Sequence, residues 1–133
     1  MSQENVEIVR RTFDAFAGGG IEAVLPFFTP DVVAYPFPEW VEESEYRGHN
    51  GLRRLIAVWT DNFDEFEFHP HEIREVGDGV LVFAETAGRI KGSGVPIRQP
   101  LGQVNSDFRD GMIGKIHNFL AWRQALGAAG LSD

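Results

Sequence analysis

The chain has 133 residues, carries a formal net charge of −8 at pH 7 and contains no cysteine. This length predicts one domain, residues 1–133, with one sizeable core. The negative charge disfavours nucleic-acid binding, which needs clustered Lys and Arg, and the lack of cysteine excludes disulfides and thiolate metal sites. The polar start and the absence of a long apolar run predict a soluble, cytoplasmic protein with no membrane partner.

Three helices are predicted ahead of the sheet. The first begins near the capping residue Ser2 and ends at the glycines 18–20, with apolar positions at helical spacing: Val6, Val9, Phe13 and Phe16. Residues 21–28 predict a short second helix that Pro26 limits. The third begins at His49 or Asn50, and one of its faces carries Leu52, Leu55, Ile56, Trp59 and Phe63.

Between the second and third helices, residues 31–35 predict a strand, and a turn-rich acidic loop follows from Pro36. Trp40 and Tyr46 lie in this loop. They either close over the mouth of a pocket or pin the loop to the core, and the sequence favours neither.

The second half of the chain changes to strand patterning. Four runs, residues 66–76, 80–91, 95–109 and 112–122, are separated by Gly77-Asp78-Gly79, Gly92-Ser93-Gly94 and Asp110-Gly111. Each separator is typical of a hairpin turn, which predicts an antiparallel meander. Helices followed by strands predict an α+β fold.

The order of these elements, together with FFTPDVVAYPFPEW, YRGHNGLRRL, the RDG turn and the closing QALGAAGL, resembles the SnoaL-like branch of the nuclear transport factor two-like superfamily, which includes ketosteroid isomerase. The resemblance implies three N-terminal helices packed in the concave face of a curved, mainly antiparallel sheet. This cone-shaped α+β barrel surrounds an apolar pocket. Many members of the superfamily dimerise through the outer sheet face.

The resemblance also implies which side chains point into the pocket and places His117 on the outer face. The inward set comprises Leu81, Phe83, Glu85, Leu101, Gln103, Ile116, Asn118 and Leu120, with Asn105 deeper or displaced by a bulge. The chemistry of ketosteroid isomerase does not carry over, because Pro36 matches its base, Thr12 its donor tyrosine and Gln103 its protonated acid. Proline cannot accept a proton, so steroid isomerisation by the family's own residues is not expected.

Glu85 is the candidate proton-transfer group, because a carboxylate inside an apolar cone has a raised pKa. Gln103 and Asn118 are the candidates for orienting a substrate. The alternative for Glu85 is a structural ion pair with Arg89. The expected substrate wall consists of Trp40, Trp59, Phe63, Phe83, Leu101, Asn105, Ile116 and Leu120.

The histidines give further hypotheses. His69 and His71 share a strand face with Glu67, as a metal site requires, but Pro70 favours an edge strand and a surface role. His117 is either a base or an interface residue. Asp107 is either its partner across the hairpin or a solvated strand residue. No cofactor motif is present, so neither a cofactor nor a metal is predicted.

The leading hypothesis is a cofactor-independent isomerase, cyclase or hydrolase that acts on a small hydrophobic, oxygen-bearing molecule by acid-base chemistry. The alternative is a non-catalytic module that binds a small ligand or only associates. A homodimer through the outer sheet face is predicted in either case, because Ile113 and Phe119 would otherwise be exposed there.

Overall fold

The computed structural model describes residues 2–38 and 43–130. In chain order its elements are helix α1 (Ser2–Val24), strands β1 (Phe28–Tyr35) and β2 (Tyr46–Arg47), helix α2 (Gly48–Asn62), strands β3 (Phe63–Val76), β4 (Gly79–Ile90), β5 (Pro96–Ser106) and β6 (Ile113–Phe119), and helix α3 (Trp122–Ala128). The α+β class is as predicted.

Helix α1 breaks at the glycine run, as predicted. Gly20 leaves the helical conformation, with φ of 70° and ψ of −159°, so α1 consists of two helical segments joined at a kink. A short 3-10 turn, Leu25–Phe27, then leads directly into β1. The expectation of three N-terminal helices is therefore inexact, because α1 spans the first two and α3 lies at the other end of the described chain.

The strands form one six-stranded sheet in the order β2-β1-β6-β5-β4-β3 within the described residues. The sheet is curved and open, and the meander from β3 to β6 is antiparallel as predicted. Strand β1 pairs with β6 in parallel. Strand β3 is an edge of this sheet, and edge strands tolerate a proline such as Pro70.

The last hairpin follows from its turn residues. Asp110 and Gly111 both have positive φ, 52° and 75°, while Arg109 and Met112 exchange two backbone hydrogen bonds of 2.9 and 2.8 Å. A two-residue turn of this hand needs left-handed backbone at both positions, which Asp and Gly tolerate. The turn aligns β5 with β6 and pairs Gln103 with Asn118.

The predicted inward face of β4 is wrong by one residue. Val82 lies opposite Gln103, and Ala84 lies opposite Leu101. Directly opposed residues share a sheet face, so Leu81, Phe83 and Glu85 point outward. Alternation could not decide this register, because residues 80–84 are apolar on both faces and Leu81 is buried even on the outer face.

Helix α3 explains that burial, because it packs on the outer face of β4 and β5. The Trp122 ring stacks on Phe83 with centroids 5.3 Å apart, and its N–H donates to the carbonyl of Ala84 at 2.9 Å. A Cβ at Gly102 would meet the Cβ of Ala125 at 2.7 Å, so β5 needs glycine at this contact.

The outer face offers a second copy less apolar surface than predicted. Ile113, one ground for the dimer, is fully buried within the chain. His117 does point outward, as predicted, and its ring stacks on Tyr35 at 4.4 Å and on half-buried Phe119 at 6.4 Å. The homodimer remains a prediction that rests on these aromatic rings.

Candidate functional site

A small inner cavity of about 80 Å³ lies between the helices and the concave face of the sheet. Helices α1 and α2 supply most of its apolar wall, and the sheet supplies its polar end. The apolar lining is Phe13, Phe16, Ile21, Val24, Phe28, Leu52, Leu55, Ile56, Trp59, Phe68 and Ile116; the polar lining is Thr12, Gln103, Asn105 and Asn118. Gln103, Asn105, Ile116, Asn118 and Trp59 thus lie on the inner side, where they were expected, and their roles towards a substrate stay predictions.

Three side-chain amides at the polar end form a hydrogen-bonded chain, named here the amide relay. The Asn105 amide donates to Gln103 Oε1 at 3.0 Å, and the Gln103 amide donates to Asn118 Oδ1 at 3.0 Å. The Asn118 amide donates to the backbone carbonyl of Tyr35, also at 3.0 Å. The relay therefore spans three neighbouring strands and ends on the main chain of β1.

The backbone carbonyl of Tyr35 fixes the direction of the whole relay. A carbonyl can only accept, so Asn118 must turn its NH2 group towards it and its Oδ1 towards Gln103. Gln103 must then donate to Asn118, and its own oxygen accepts from Asn105. The orientation of each amide thus follows from one main-chain atom, which removes the usual ambiguity between amide oxygen and nitrogen.

The free end of the relay is the carbonyl oxygen of Asn105. Asn105 is only 2% exposed, and within the described residues its Oδ1 has no hydrogen-bond partner. No fully enclosed side-chain polar atom of the described chain lacks a partner, so this oxygen opens to the cavity. Each amide of the relay also keeps one N–H that the relay does not use.

No side chain that titrates lines the inner cavity among the residues the structure describes. Thr12 contributes a hydroxyl, but this group donates to the carbonyl of Val9 at 2.6 Å, one turn back in α1. The cavity can therefore orient a polar ligand atom by hydrogen bonds. It holds no carboxylate or imidazole from the described chain that could move a proton.

An outer cleft of about 400 Å³ adjoins the inner cavity and opens to solvent. Its lining is mostly apolar and comprises Phe37, Val58, Trp59, Asn62, Phe63, Gln99 and Leu120. The predicted substrate residues Phe63 and Leu120 lie here and not in the inner cavity. Leu101 is on the inner face but fully buried in the core, and it lines neither space.

The placement of Glu85 in the pocket is wrong. This carboxylate lies on the outer face, where Arg98 Nε is 2.9 Å and His71 Nε2 is 2.8 Å from its Oε1. The Arg98 hydrogen bond and then the His71 bond hold the pKa of Glu85 below its ordinary value, the opposite of the raised pKa that was predicted. The ion-pair alternative is confirmed in kind, although Arg89 instead pairs with Glu65.

Phe83 is likewise not a pocket residue, because it stacks on Trp122 outside the sheet. Trp40 lies outside the described residues. Tyr46 is almost completely buried, at 1% exposed, and it belongs to β2 next to α2. Of the two alternatives for the aromatic residues of the loop, the structure favours pinning to the core for Tyr46.

The histidine hypotheses do not converge on a site. His69 pairs with Glu67 at 3.1 Å, whereas the bulge between Pro70 and Glu72 turns His71 towards Glu85. Asp107 pairs with Lys115 and not with His117. No group of three or more His, Asp or Glu side chains that could hold a metal occurs in the described part of the chain.

Sequence reasoning missed two kinds of lining residue. Phe68 reaches the cavity from β3, where the alternation of Phe66 and Phe68 with charged residues was the available signal. The helix residues Phe13 and Phe16 were read as core, and they are both core neighbours and cavity wall. Helical spacing alone does not separate these two roles.

Residues 9–116 match the family model of the SnoaL-like domain. This range includes every residue that lines the inner cavity except Asn118. The chain belongs to the SnoaL-like domain family. No curated protein sequence matches it. Among the described residues, no helix is long and apolar enough to span a membrane.

Several solved structures share this fold. A proposed SnoaL-like polyketide cyclase from Jannaschia sp. CCS1 is 23% identical, with 89% of this chain and 85% of that chain covered and a TM-score of 0.75. An NTF2-like protein from Burkholderia xenovorans LB400 is 25% identical, with 97% of both chains covered and a TM-score of 0.71. TerC, co-crystallised with polyporic acid, is 21% identical, with 96% and 98% covered and a TM-score of 0.75.

Proposed function

We propose that this SnoaL-like protein binds a small, mainly apolar molecule and orients it through a hydroxyl or N–H group that donates to Asn105 Oδ1. The observation that carries the proposal is the amide relay, whose one free terminus is a buried acceptor open to the inner cavity. A ligand donor that reaches Asn105 Oδ1 would complete the chain of hydrogen bonds.

The size of the cavity supports entry of the polar end of the ligand alone. A cavity of about 80 Å³ is smaller than the roughly 150 Å³ that holds benzene in an engineered protein core. The body of the ligand must therefore lie towards the mouth of the cone or displace wall side chains. The co-crystal of TerC with polyporic acid supports a small-molecule role for a protein of this fold.

Thermal unfolding against a panel of steroids, phenols and polyketide-like aromatics is the first test, because binding to the folded state raises the midpoint. The decisive comparison is 2-naphthol with 2-methoxynaphthalene, which has the same ring system but no donor. We expect the native protein to prefer 2-naphthol, and Asn105→Leu to lose the preference while it still binds the methyl ether. Equal affinity of the native protein for the two compounds would refute the proposed role of Asn105.

Catalysis by neutral groups is a second candidate, favoured by the relay N–H groups that remain unused. Amide N–H groups aimed at a carbonyl oxygen stabilise the negative charge that develops there when a neighbouring carbon loses a proton. Such a cyclase- or isomerase-type reaction would need a base from solvent or from the substrate. Aromatic ketones from the panel, incubated with the protein in D2O, would exchange their α-protons faster than in buffer. Exchange at the buffer rate would exclude this candidate.

A further inference from the structure

The Trp59 indole is the one residue, among those described, that lines both the inner cavity and the outer cleft. It also borders a third void of about 10 Å³ beneath Phe63 and Phe66. The ring therefore has unfilled space on several sides, although its side chain is only 8% exposed. Removing it from this position would join two spaces that differ fivefold in size, about 80 and 400 Å³.

Among the described residues, no side-chain or backbone polar group holds the Trp59 indole in place. Its contacts are with aromatic rings: Phe37 at 5.8 Å, Phe66 at 5.7 Å and Phe68 at 6.2 Å between centroids. Within the described chain its N–H has no hydrogen-bond partner, whereas buried tryptophans usually have one. Trp122 shows the contrast, because its N–H donates to Ala84.

The unpaired N–H of Trp59 is not fully enclosed by the described protein. Since no enclosed side-chain nitrogen or oxygen of the described residues lacks a partner, the Trp59 N–H must reach one of the neighbouring spaces. The outer cleft, at about 400 Å³, has the volume of an ordinary ligand site, which is roughly 300–1,000 Å³.

We propose that Trp59 determines specificity as a movable partition: the outer cleft receives the planar apolar body of a ligand, and the ligand's hydroxyl end reaches the amide relay when the indole turns aside. This inference rests on the proposed function and adds where the body lies and what limits access. Ligands confined to the cleft need no movement of Trp59. Ligands that donate to Asn105 must displace the ring, and that displacement weakens their binding.

Calorimetric titration with 2-naphthol tests the partition. Trp59→Ala removes the ring between the outer cleft and the inner cavity. We therefore expect 2-naphthol to bind this variant about tenfold more tightly than it binds the native protein, because the variant does not have to move a ring aside before the ligand binds. Trp59→Phe, which keeps an aromatic contact and is better tolerated in the core, is expected to give a smaller gain. Trp122→Phe is the matched control, and it should leave the affinity unchanged.

A second measurement does not depend on how well Trp59→Ala folds. In protein labelled with 5-fluorotryptophan, the ¹⁹F resonance that disappears in Trp59→Phe belongs to Trp59. We expect 2-naphthol to shift that resonance and to leave the Trp122 resonance in place. An unmoved Trp59 resonance at saturating 2-naphthol would overturn the partition.

The outcomes also separate the two proposals. If the native protein prefers 2-naphthol over its methyl ether but Trp59→Ala and Trp59→Phe bind it no more tightly, the relay keeps its function and the partition is wrong. If only the Trp59 variants bind 2-naphthol, the partition holds. If no form binds 2-naphthol, the partition is overturned for this ligand class.

Discussion

The side chain of Asn118 donates to the backbone carbonyl of Tyr35 at 3.0 Å and thereby fixes the orientation of two further amides. This bond joins β6 to β1 and places Gln103 at the centre of the relay, where it both donates and accepts. The polar end of the cavity is thus a cooperative unit whose members depend on one another.

Gln103→Leu should therefore destabilise the protein as well as impair the site. It leaves Asn118 Oδ1 and one Asn105 N–H unpaired, and we expect a loss of about 2 kcal/mol in the free energy of unfolding, since an unsatisfied buried polar group costs about 1–3 kcal/mol. Gln99→Leu is the matched control on the same strand, because Gln99 is exposed. Urea unfolding measures both variants, and equal stabilities would show that the relay contributes nothing to the fold.

Gly102→Ala should loosen helix α3. The added Cβ meets the Cβ of Ala125 at 2.7 Å, so we expect a loss of about 1–3 kcal/mol from overpacking. Gly18→Ala, in open space on α1, should instead stabilise by about 0.5–1 kcal/mol because alanine favours helix. Adding Ala125→Gly to Gly102→Ala should recover part of the loss, and no recovery would mean that the two residues do not clash.

Glu85→Gln should leave binding of 2-naphthol within twofold of the native value, because Glu85 lies on the opposite face of the sheet from the relay. A large loss of affinity would show that Glu85 belongs to the site after all.

Glu85→Gln should instead change how the stability of the protein depends on pH in the acid range. A carboxylate with a lowered pKa stabilises the fold above its ordinary value of 4.5, and that stability is lost as pH falls through the lower folded-state pKa. The stability difference between native protein and Glu85→Gln should thus shrink as pH falls through 4.5 and then through the lowered folded-state pKa of Glu85.

The pKa of His117 should lie below 6.5, because burial and then the charge of Lys115 disfavour its protonated form. A histidine with a lowered pKa reduces stability as pH falls from above 6.5 to its folded-state pKa, below which the loss is complete. Proton NMR titration gives the value directly. Lys115→Gln should raise it only in part, since burial is the larger cause. A pKa of 6.5 or above in the native protein would contradict this account.

Phe119→Asp tests the predicted homodimer. Phe119, His117 and Tyr35 form the aromatic row on the outer face, so a charge there should convert a dimer to a monomer in sedimentation equilibrium. Val95→Asp, at an exposed position in the turn between β4 and β5, is the control and should leave the mass unchanged. If the native protein sediments as a monomer, the predicted homodimer is wrong.

Much of the fold could be predicted from the sequence because its signals are local. Asp110-Gly111 specified a two-residue hairpin, and the resemblance placed Gln103 and Asn118 inside the cone, as observed. The inward face of β4 could not be predicted, because Leu81 is buried on the outer face and Phe83 stacks there on Trp122 of α3, a helix from the other end of the described chain. Only a tertiary contact distinguishes two faces that are both apolar.

The site was harder to predict for the same reason. Glu85 was assigned to the pocket because the register of β4 was wrong by one residue. The side chain predicted as a buried acid is in fact part of an ion pair on the outer face. The amide relay depends on a carbonyl of Tyr35, and no side-chain pattern reports the position of a main-chain atom. The position of Trp59 between the inner cavity and the outer cleft likewise could not be predicted. It depends on how much space the side chains leave unfilled, and helical spacing does not report that volume.

The pairing of β1 with β6 has a consequence for synthesis of the protein on the ribosome. Tyr35 and Asn118 are 83 residues apart in the chain. The emerging polypeptide therefore carries α1 and α2, which form most of the apolar wall of the inner cavity, long before β6, which pairs with β1 and completes the polar end of the cavity. Contacts so distant in sequence form late and slowly, and the unfinished sheet exposes an unpaired strand meanwhile. The nascent chain is consequently most vulnerable to aggregation just before its final strand leaves the exit tunnel.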